Sequence, residues 1–434
     1  MAKRKLHLLA YLKTGPTANH AGGWRHPEST LHDILEPSRY EQIAQVLEGA
    51  CFDGCFFADL LGLYDIHRGS FATYIGKGGQ ISFLDPLMVL PLMARVTRHL
   101  GLGATISTTF NHPYTIARQL ASLDIISKGR VAWNVVTSAT NLEARNFGMD
   151  EIPPRDERYA RADEVVEACF ALWDCWGEDV FVHDKKNGVF GDPAKMRYAN
   201  YRGKYVSTRG PLSIPRSPQG RPVIMQAGAS PRGRDFAARW AEMIFAPSSR
   251  EPDLKAFTAD MHRRLVANGR RPEDCVIMPQ MRVVVGETEA IAQEKAEYLQ
   301  SLIDPDLALA NNSSYLGIDL AQDGDEAALA AMQGNQGIQG TADKLRAIMA
   351  AENISLKEAA ARVTNELVGT PQSIADRMQH LFESGACDGF VISPTYFPGS
   401  IEAFCRSVVP ELQRRGIFRT RYEGRTLREN LRAG

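Results

Sequence analysis

Gly129-Arg-Val-Ala-Trp-Asn-Val-Val-Thr-Ser138 is the stretch whose reading decides the fold. Five apolar residues, rich in β-branched and aromatic types, lie between Arg130 and Thr137, and Lys128-Gly129 punctuates the front. This is the pattern of a parallel strand buried on both faces. Asn134 is its one polar interruption. A buried amide without a hydrogen bond costs roughly 1–3 kcal/mol, so Asn134 needs a structural partner or a ligand. Period-two alternation puts Asn134, Val136 and Ser138 on one face near the C-terminal end of the strand, where α/β proteins bind ligands.

Working outward, strand-like runs alternate with helical patterns along most of the 434 residues. Strands are expected at Leu6–Leu12, Phe52–Asp59, Leu100–Thr108, Gly129–Ser138, Pro222–Gly228, Glu242–Pro247, 277–286 and Asp388–Pro394. Helices are expected from Pro37 to Gly49, from Asp85-Pro86 to His99, and over Tyr114–Lys128, Arg158–Trp176, Ser230–Ala241, 253–268, 288–302 and 401–415. Eight alternating strands point to an α/β fold, a (β/α)8 TIM barrel, in preference to a doubly wound sheet. The latter usually carries a GxGxxG turn after an early strand, and none occurs here. The reading is one barrel domain over residues 1–434 with insertions at about 177–221 and 303–371. The second insertion precedes the last strand, contains Gly334-Asn-Gln-Gly-Ile-Gln-Gly340 and a helical stretch 341–367, and is read either as a lid that folds over the barrel mouth or as a surface decoration.

Composition removes several classes of function. Fifty basic and 51 acidic residues leave no charge excess to favour nucleic acid or an anionic membrane. Seven scattered cysteines, an odd number in a long chain, argue against a disulfide framework and for the reducing cytoplasm. Met1-Ala-Lys-Arg-Lys before Leu6–Leu12 mimics a signal peptide, but the apolar run is short, carries His7 and lacks a small-residue cleavage site. No segment reaches the roughly 18 apolar residues of a membrane span.

No HxH, HExxH or paired Cys/His spacing exists, so no metal site is expected. Carboxylates such as Asp59 and Asp65 leave a hydrolase open. A phosphate site has firmer support. In Gln226-Ala-Gly-Ala-Ser-Pro-Arg-Gly233, Ser230 takes the N-cap position and Pro231 the first helical position. The helix N-terminus favours an anion, and the small residues Ala227-Gly-Ala229 let a ligand approach the backbone. Arg155 and Tyr159, at the start of the long helix after the fourth strand, suit the same role. Asp59 ends the second strand, and Thr105 and Ser107 share a face near the end of the third. Together these groups suit a planar polar ligand with a phosphate tail.

Phe56-Phe-Ala-Asp59, Gly129–Ser138, Arg145-Asn-Phe-Gly148, Asp156-Glu-Arg-Tyr159, Gln226-Ala-Gly-Ala-Ser230 and Trp24-Arg-His-Pro27 resemble, in this order, the nitrilotriacetate and dibenzothiophene-sulfone monooxygenase branch of the bacterial luciferase superfamily. The resemblance covers about residues 6–420 and extends to the long-chain alkane monooxygenases. It implies a barrel that takes FMN as FMNH2 from a separate NAD(P)H:flavin reductase. There it would react with O2 through a C4a-(hydro)peroxyflavin and oxygenate a small organic substrate. By motif, Asp59, Thr105, Ser107 and Asn134 approach the ring and ribityl chain, Arg155, Tyr159 and Ser230 hold the phosphate, and Ala229 adjoins it. Tyr64, Gln80 and His26 lie in loops at the mouth as candidate catalytic groups. Arg155 stands where many relatives carry histidine, and Ala139 where the alkane enzymes carry a histidine thought to be catalytic, which argues against alkane hydroxylation. A homo-oligomer, dimer or tetramer, is implied as well. An F420-dependent oxidoreductase on the same scaffold and a non-catalytic flavin-binding barrel are the alternatives.

Overall fold

The computed structural model describes residues 4–16, 19–228, 230–321, 324–332 and 339–433. Eight parallel strands close on themselves: β1 (His7–Leu12), β2 (Gly54–Phe57), β3 (Gly101–Ser107), β4 (Val131–Val136), β5 (Val223–Gln226), β6 (Met243–Ala246), β7 (Val276–Val285) and β8 (Gly389–Ser393). Each pairs with its neighbours in chain order, and β8 returns to β1. The expected (β/α)8 barrel is the architecture found.

Helices lie between the strands: α1 (Pro37–Gly49), α2 (Pro86–Val96), α3 (Pro113–Ile126), α4 (Arg155–Trp173), α5 (Pro231–Trp240), α6 (Glu251–Ala267) and α7 (Glu289–Ser301). Their starts follow from capping chemistry. Asp85 accepts from Leu87 N–H at the head of α2, Ser230 from Gly233 N–H at the head of α5, and both helices have proline in the first turn. On α4 the residues Ala162, Val165, Val166, Cys169, Leu172 and Trp173 are all buried, the face that its apolar spacing marks out.

Strand alternation sorts side chains between two cores. Val131, Trp133 and Val135 face the helices, where the Trp133 ring meets Trp173 edge-on at 6.4 Å. Ala132 faces the interior with Leu9, Phe56, Val223, Met225, Met243, Val276, Met278 and Val391. Leu427 and Leu431, from the helix Leu427–Arg432, close the N-terminal end of this interior. The C-terminal end carries the polar groups.

β7 has ten residues against five in β8. Its overhang recruits a further parallel strand, Glu366–Gly369, with Arg282 opposite Glu366. The helical stretch expected over 341–367 is present as two helices that end at Ala361, and only its last residues, from Glu366, are strand instead. The segment after α7 forms α8 (Pro305–Leu316), α9 (Gly324–Ala331), α10 (Gln339–Glu352) and α11 (Leu356–Ala361), then that strand, then α12 (Pro371–Glu383). Ser355 starts α11 with a reciprocal cap to Glu358. The four helices share a small core of their own that includes Leu309, Leu316, Leu345 and Leu356. Leu307 of α8 joins Tyr74 and Ile81 of the β2–α2 connection, so the helices form a cover against that side of the barrel mouth. The glycine-rich 334–340 lies largely outside the described residues. The excursion 177–221 carries two small antiparallel hairpins.

Candidate active site

Asn134 projects inward from β4, one position beyond the apolar layer. Its Nδ2 donates to Thr105 Oγ1 at 2.9 Å, and the Thr105 hydroxyl donates to the Phe57 carbonyl at 2.7 Å. The Thr105 proton is thereby committed, so its oxygen must accept, and this fixes the orientation of the amide. Asn134 Oδ1 is left buried with no hydrogen-bond partner. Beyond it, Ser138 adopts a left-handed φ of 53° and bonds both Ser107 Oγ and Glu143 Oε1 at 3.0 Å. Non-glycine residues are rarely held in that region, and here the short helix Asn141–Asn146, capped by Thr140, supports the bend.

The head of α5 lies at the same end of the barrel. Tyr159 of α4 is buried there; burial raises its pKa, while its contact with Ser230 and the charges of Arg155, Arg158 and Arg232 oppose the rise. The Arg232 guanidinium sits over its ring at 5.3 Å. A Cβ on Gly228 would stand 2.2 Å from Gln226 Nε2 and 2.9 Å from Tyr159 Oη, so only glycine lets the β5–α5 turn pass this close. A helix dipole thus meets the guanidinium of Arg232, itself paired with Asp163, at one point, the setting in which helix N-termini hold a phosphate. Ala229, expected beside it, lies outside the described residues.

On the other side of the mouth, Lys13 extends from β1 and donates to the Gln80 carbonyl at 3.2 Å. Burial pulls its pKa down to about 8, although the Asp59 carboxylate works against the shift. Asp59 accepts from Leu60 N–H at 2.9 Å, and burial raises its pKa. Gln80 Oε1 accepts from Tyr315 of α8 at 3.0 Å. Tyr64 packs edge-on against Tyr74 and Tyr315, with centroids 4.9 and 6.0 Å apart. Burial lifts the phenols of Tyr11, Tyr64 and Tyr315, so all three keep their protons. Tyr64 and Gln80 are therefore brought together, by the cover. His26 lies apart from them, stacked on Tyr396 at 3.8 Å and edge-on to Tyr298 at 5.7 Å.

Six residues of this region were not singled out from sequence: Tyr11, Lys13, His20, Arg282, Tyr315 and Lys344. His20 Nδ1 accepts from Gly22 N–H at 3.2 Å, which leaves Nε2 as the protonated nitrogen, buried without a partner. Burial, then the charge of Arg282, pushes its pKa down to about 3. Among the described residues no group of three or more His, Cys, Asp or Glu is arranged to hold a metal. A groove of about 840 Å3 opens at the opposite, N-terminal end of the barrel. Three of its arginines are already matched, Arg221 by Asp174, Arg428 by Glu242, and Arg270 by the carbonyls of Ala238, Ala241 and Asp274.

The family model for luciferase-like monooxygenase matches residues 17–388. The chain belongs to the luciferase-like monooxygenases. It is 43% identical to the dibenzothiophene-sulfone monooxygenase of Rhodococcus erythropolis strain XP, over 99% of this chain and 97% of that one. Nitrilotriacetate monooxygenase component A of Aminobacter aminovorans is 40% identical, over 95% and 93% of the two chains. Two solved structures superpose over 99% of this chain and 96% of theirs. One is a long-chain alkane monooxygenase, 37% identical with a TM-score of 0.88; the other is a riboflavin lyase described with modified FMN and riboflavin, 30% identical with a TM-score of 0.91. Coenzyme F420-dependent enzymes at 13–17% identity share the fold alone. The resemblance carried by the motifs from Trp24 to Ser230 is thus to the right family, and this luciferase-like monooxygenase has no helix, among the described residues, long and apolar enough to cross a membrane.

Proposed function

We propose that the protein is the oxygenase component of a two-component system that takes FMNH2 from a separate NAD(P)H:flavin reductase and uses O2 to oxygenate a small organic substrate. The observation that carries this reading is the buried, unpartnered Asn134 Oδ1, an acceptor held ready for an N–H donor of a planar ligand. Reduced flavin, when bound, supplies the electrons that activate O2. Ser230, Tyr159 and Arg155 at the head of α5 would hold its phosphate, while Asp59, Thr105, Ser107 and Asn134 would line its ring and chain. Tyr64, with its proton retained, packs on Tyr315, which is bonded to Gln80, and would serve as a hydrogen-bond donor to the reacting atoms. The cover excludes water, which such chemistry needs if reducing power is not to be lost.

The names of the relatives support the division of labour, since one is called component A of a monooxygenase and others are named for sulfone and sulfide substrates. Seven free, buried cysteines favour a cytoplasmic location. The test is to titrate photoreduced FMN anaerobically, then mix with O2 and follow flavin absorbance. Saturable binding and reoxidation slower than that of free flavin are expected. Reoxidation at the free rate overturns the reading, with F420 the next titrant.

A further inference from the structure

Arg282 faces inward from β7, two positions beyond Gln280, whose Nε2 donates to Ser393 Oγ at 2.6 Å. Its guanidinium is partly buried, and that burial lowers its pKa. Its hydrogen bonds run to the Asn19 carbonyl at 3.2 Å, Asn19 Oδ1 at 3.3 Å and the Thr364 carbonyl. Three of five N–H donors are thus used, and none meets a carboxylate. Among the described residues no acidic oxygen lies within 4.0 Å of Arg282 or of Lys344, which α10 brings close enough for the two charges to repel. Glu366, opposite Arg282 in the strand register, is the nearby acid, and it turns no oxygen onto the guanidinium. Two cations against one carboxylate leave a positive charge over, beside the partly buried Arg282. The unpartnered Nε2–H of His20, which feels the Arg282 charge, adds an unused donor.

We propose that Arg282 and Lys344 recognise an anionic group of the substrate, a carboxylate, sulfonate or sulfinate, held between the end of β7 and the cover. This rests on the reading of the barrel mouth as an oxygenase site. The bland account, that Arg282 merely pins the segment around Asn19 to β7, explains three donors but neither the two remaining nor Lys344. Lys344 is exposed and has no carboxylate within 4.0 Å among the described residues; desolvation by the protein around it and then the Arg282 charge lower its pKa, so an anion between the two would relieve that repulsion.

The experiment is titration calorimetry with two matched pairs, benzenesulfonate against methyl phenyl sulfone and succinate against succinamide. It is run on the unaltered protein, Arg282→Gln, Arg282→Lys and Lys344→Gln. At least one anion should bind ten- to a hundredfold more tightly than its neutral counterpart, the range of a charge-assisted contact. Arg282→Gln should abolish the preference, Arg282→Lys keep part of it, and Lys344→Gln narrow it about tenfold. The proposal is overturned if neither anion is preferred, or if the preference survives Arg282→Gln and Lys344→Gln alike; should Arg282→Gln fail to fold, Lys344→Gln decides. A separate FMN titration of the unaltered protein keeps the two readings distinguishable. Absent FMN binding sinks the flavin reading and leaves a measured anion preference standing, and the converse result does the reverse.

Discussion

Asn134 and Thr105, register partners across β4 and β3, are joined by a 2.9 Å bond in which the hydroxyl can only accept, because its proton is spent on Phe57. The carbonyl of Asn134 is thereby held unpaired inside the barrel, at a cost of about 1–3 kcal/mol to the ligand-free protein. Asn134→Leu, alike in branching but apolar, should leave the melting temperature of the flavin-free protein unchanged or raise it, while weakening FMN binding roughly tenfold or more. Calorimetry and flavin titration on one preparation decide. A lower melting temperature with unchanged affinity would show Asn134 to be structural only.

The cap of α5 allows stability and binding to be separated. Ser230→Ala should cost about 1 kcal/mol of stability by removing the acceptor for Gly233 N–H. Ser230→Asp keeps a good cap but places a negative charge where a phosphate is expected. It should fold as well as the parent and bind FMN at least tenfold more weakly, about 1.4 kcal/mol or more by flavin titration. Equal affinity in the two proteins would move the phosphate elsewhere.

Tyr315→Phe removes the bond from the cover to Gln80 and little else. The expected outcome is a loosened cover: flavin affinity unchanged, and a lower ratio of product formed to O2 consumed, read by parallel oxygen-electrode and product assays. An unchanged ratio would mean that this contact does not help to shield the site.

Far from the mouth, Asp53 is wholly buried, accepting from Arg419 at 2.5 Å and Leu8 N–H at 2.8 Å and meeting His7 Nδ1 at 2.9 Å. Burial by itself would raise its pKa, but the Arg419 charge and His7 outweigh this and hold it below the usual carboxylate range. A depressed folded-state pKa gives stability that is present above the unfolded value of about 3.9 and is lost as pH falls through the folded one. Asp53→Asn should therefore destabilise by about 3–5 kcal/mol at pH 7, and by progressively less below pH 4, in denaturant titrations. A penalty independent of pH would assign the effect to packing.

The eight barrel strands were legible because each is a continuous apolar run, and Asn134 because it interrupts one. Glu366–Gly369 was not, since Leu367 and Val368 are too short a run to distinguish from helix, and the strand exists only because β7 outruns β8. α4 begins at Arg155, where Pro154 and the acidic first turn start it, three residues before the apolar face by which the helix is marked in the sequence. Within the site, Arg282 shares the inward face of β7 with Met278 and Gln280, a signal that alternation carries but that looks like an ordinary surface arginine. His20, Tyr315 and Lys344 come into place through the tertiary path of the β1–α1 connection and the cover, which local periodicity does not encode.

The overhang of β7 has a consequence for how this enzyme can diversify. Arg282 stands where that extension begins, opposite Ser393, and the strand by which the cover returns to the barrel pairs along it, while the groups assigned to the cofactor come from β2 to β5 and the loops after them. Exchange of the contiguous stretch 303–362, together with residue 282, would therefore install a different specificity as a cassette, with Asn134, Thr105 and Ser230 untouched.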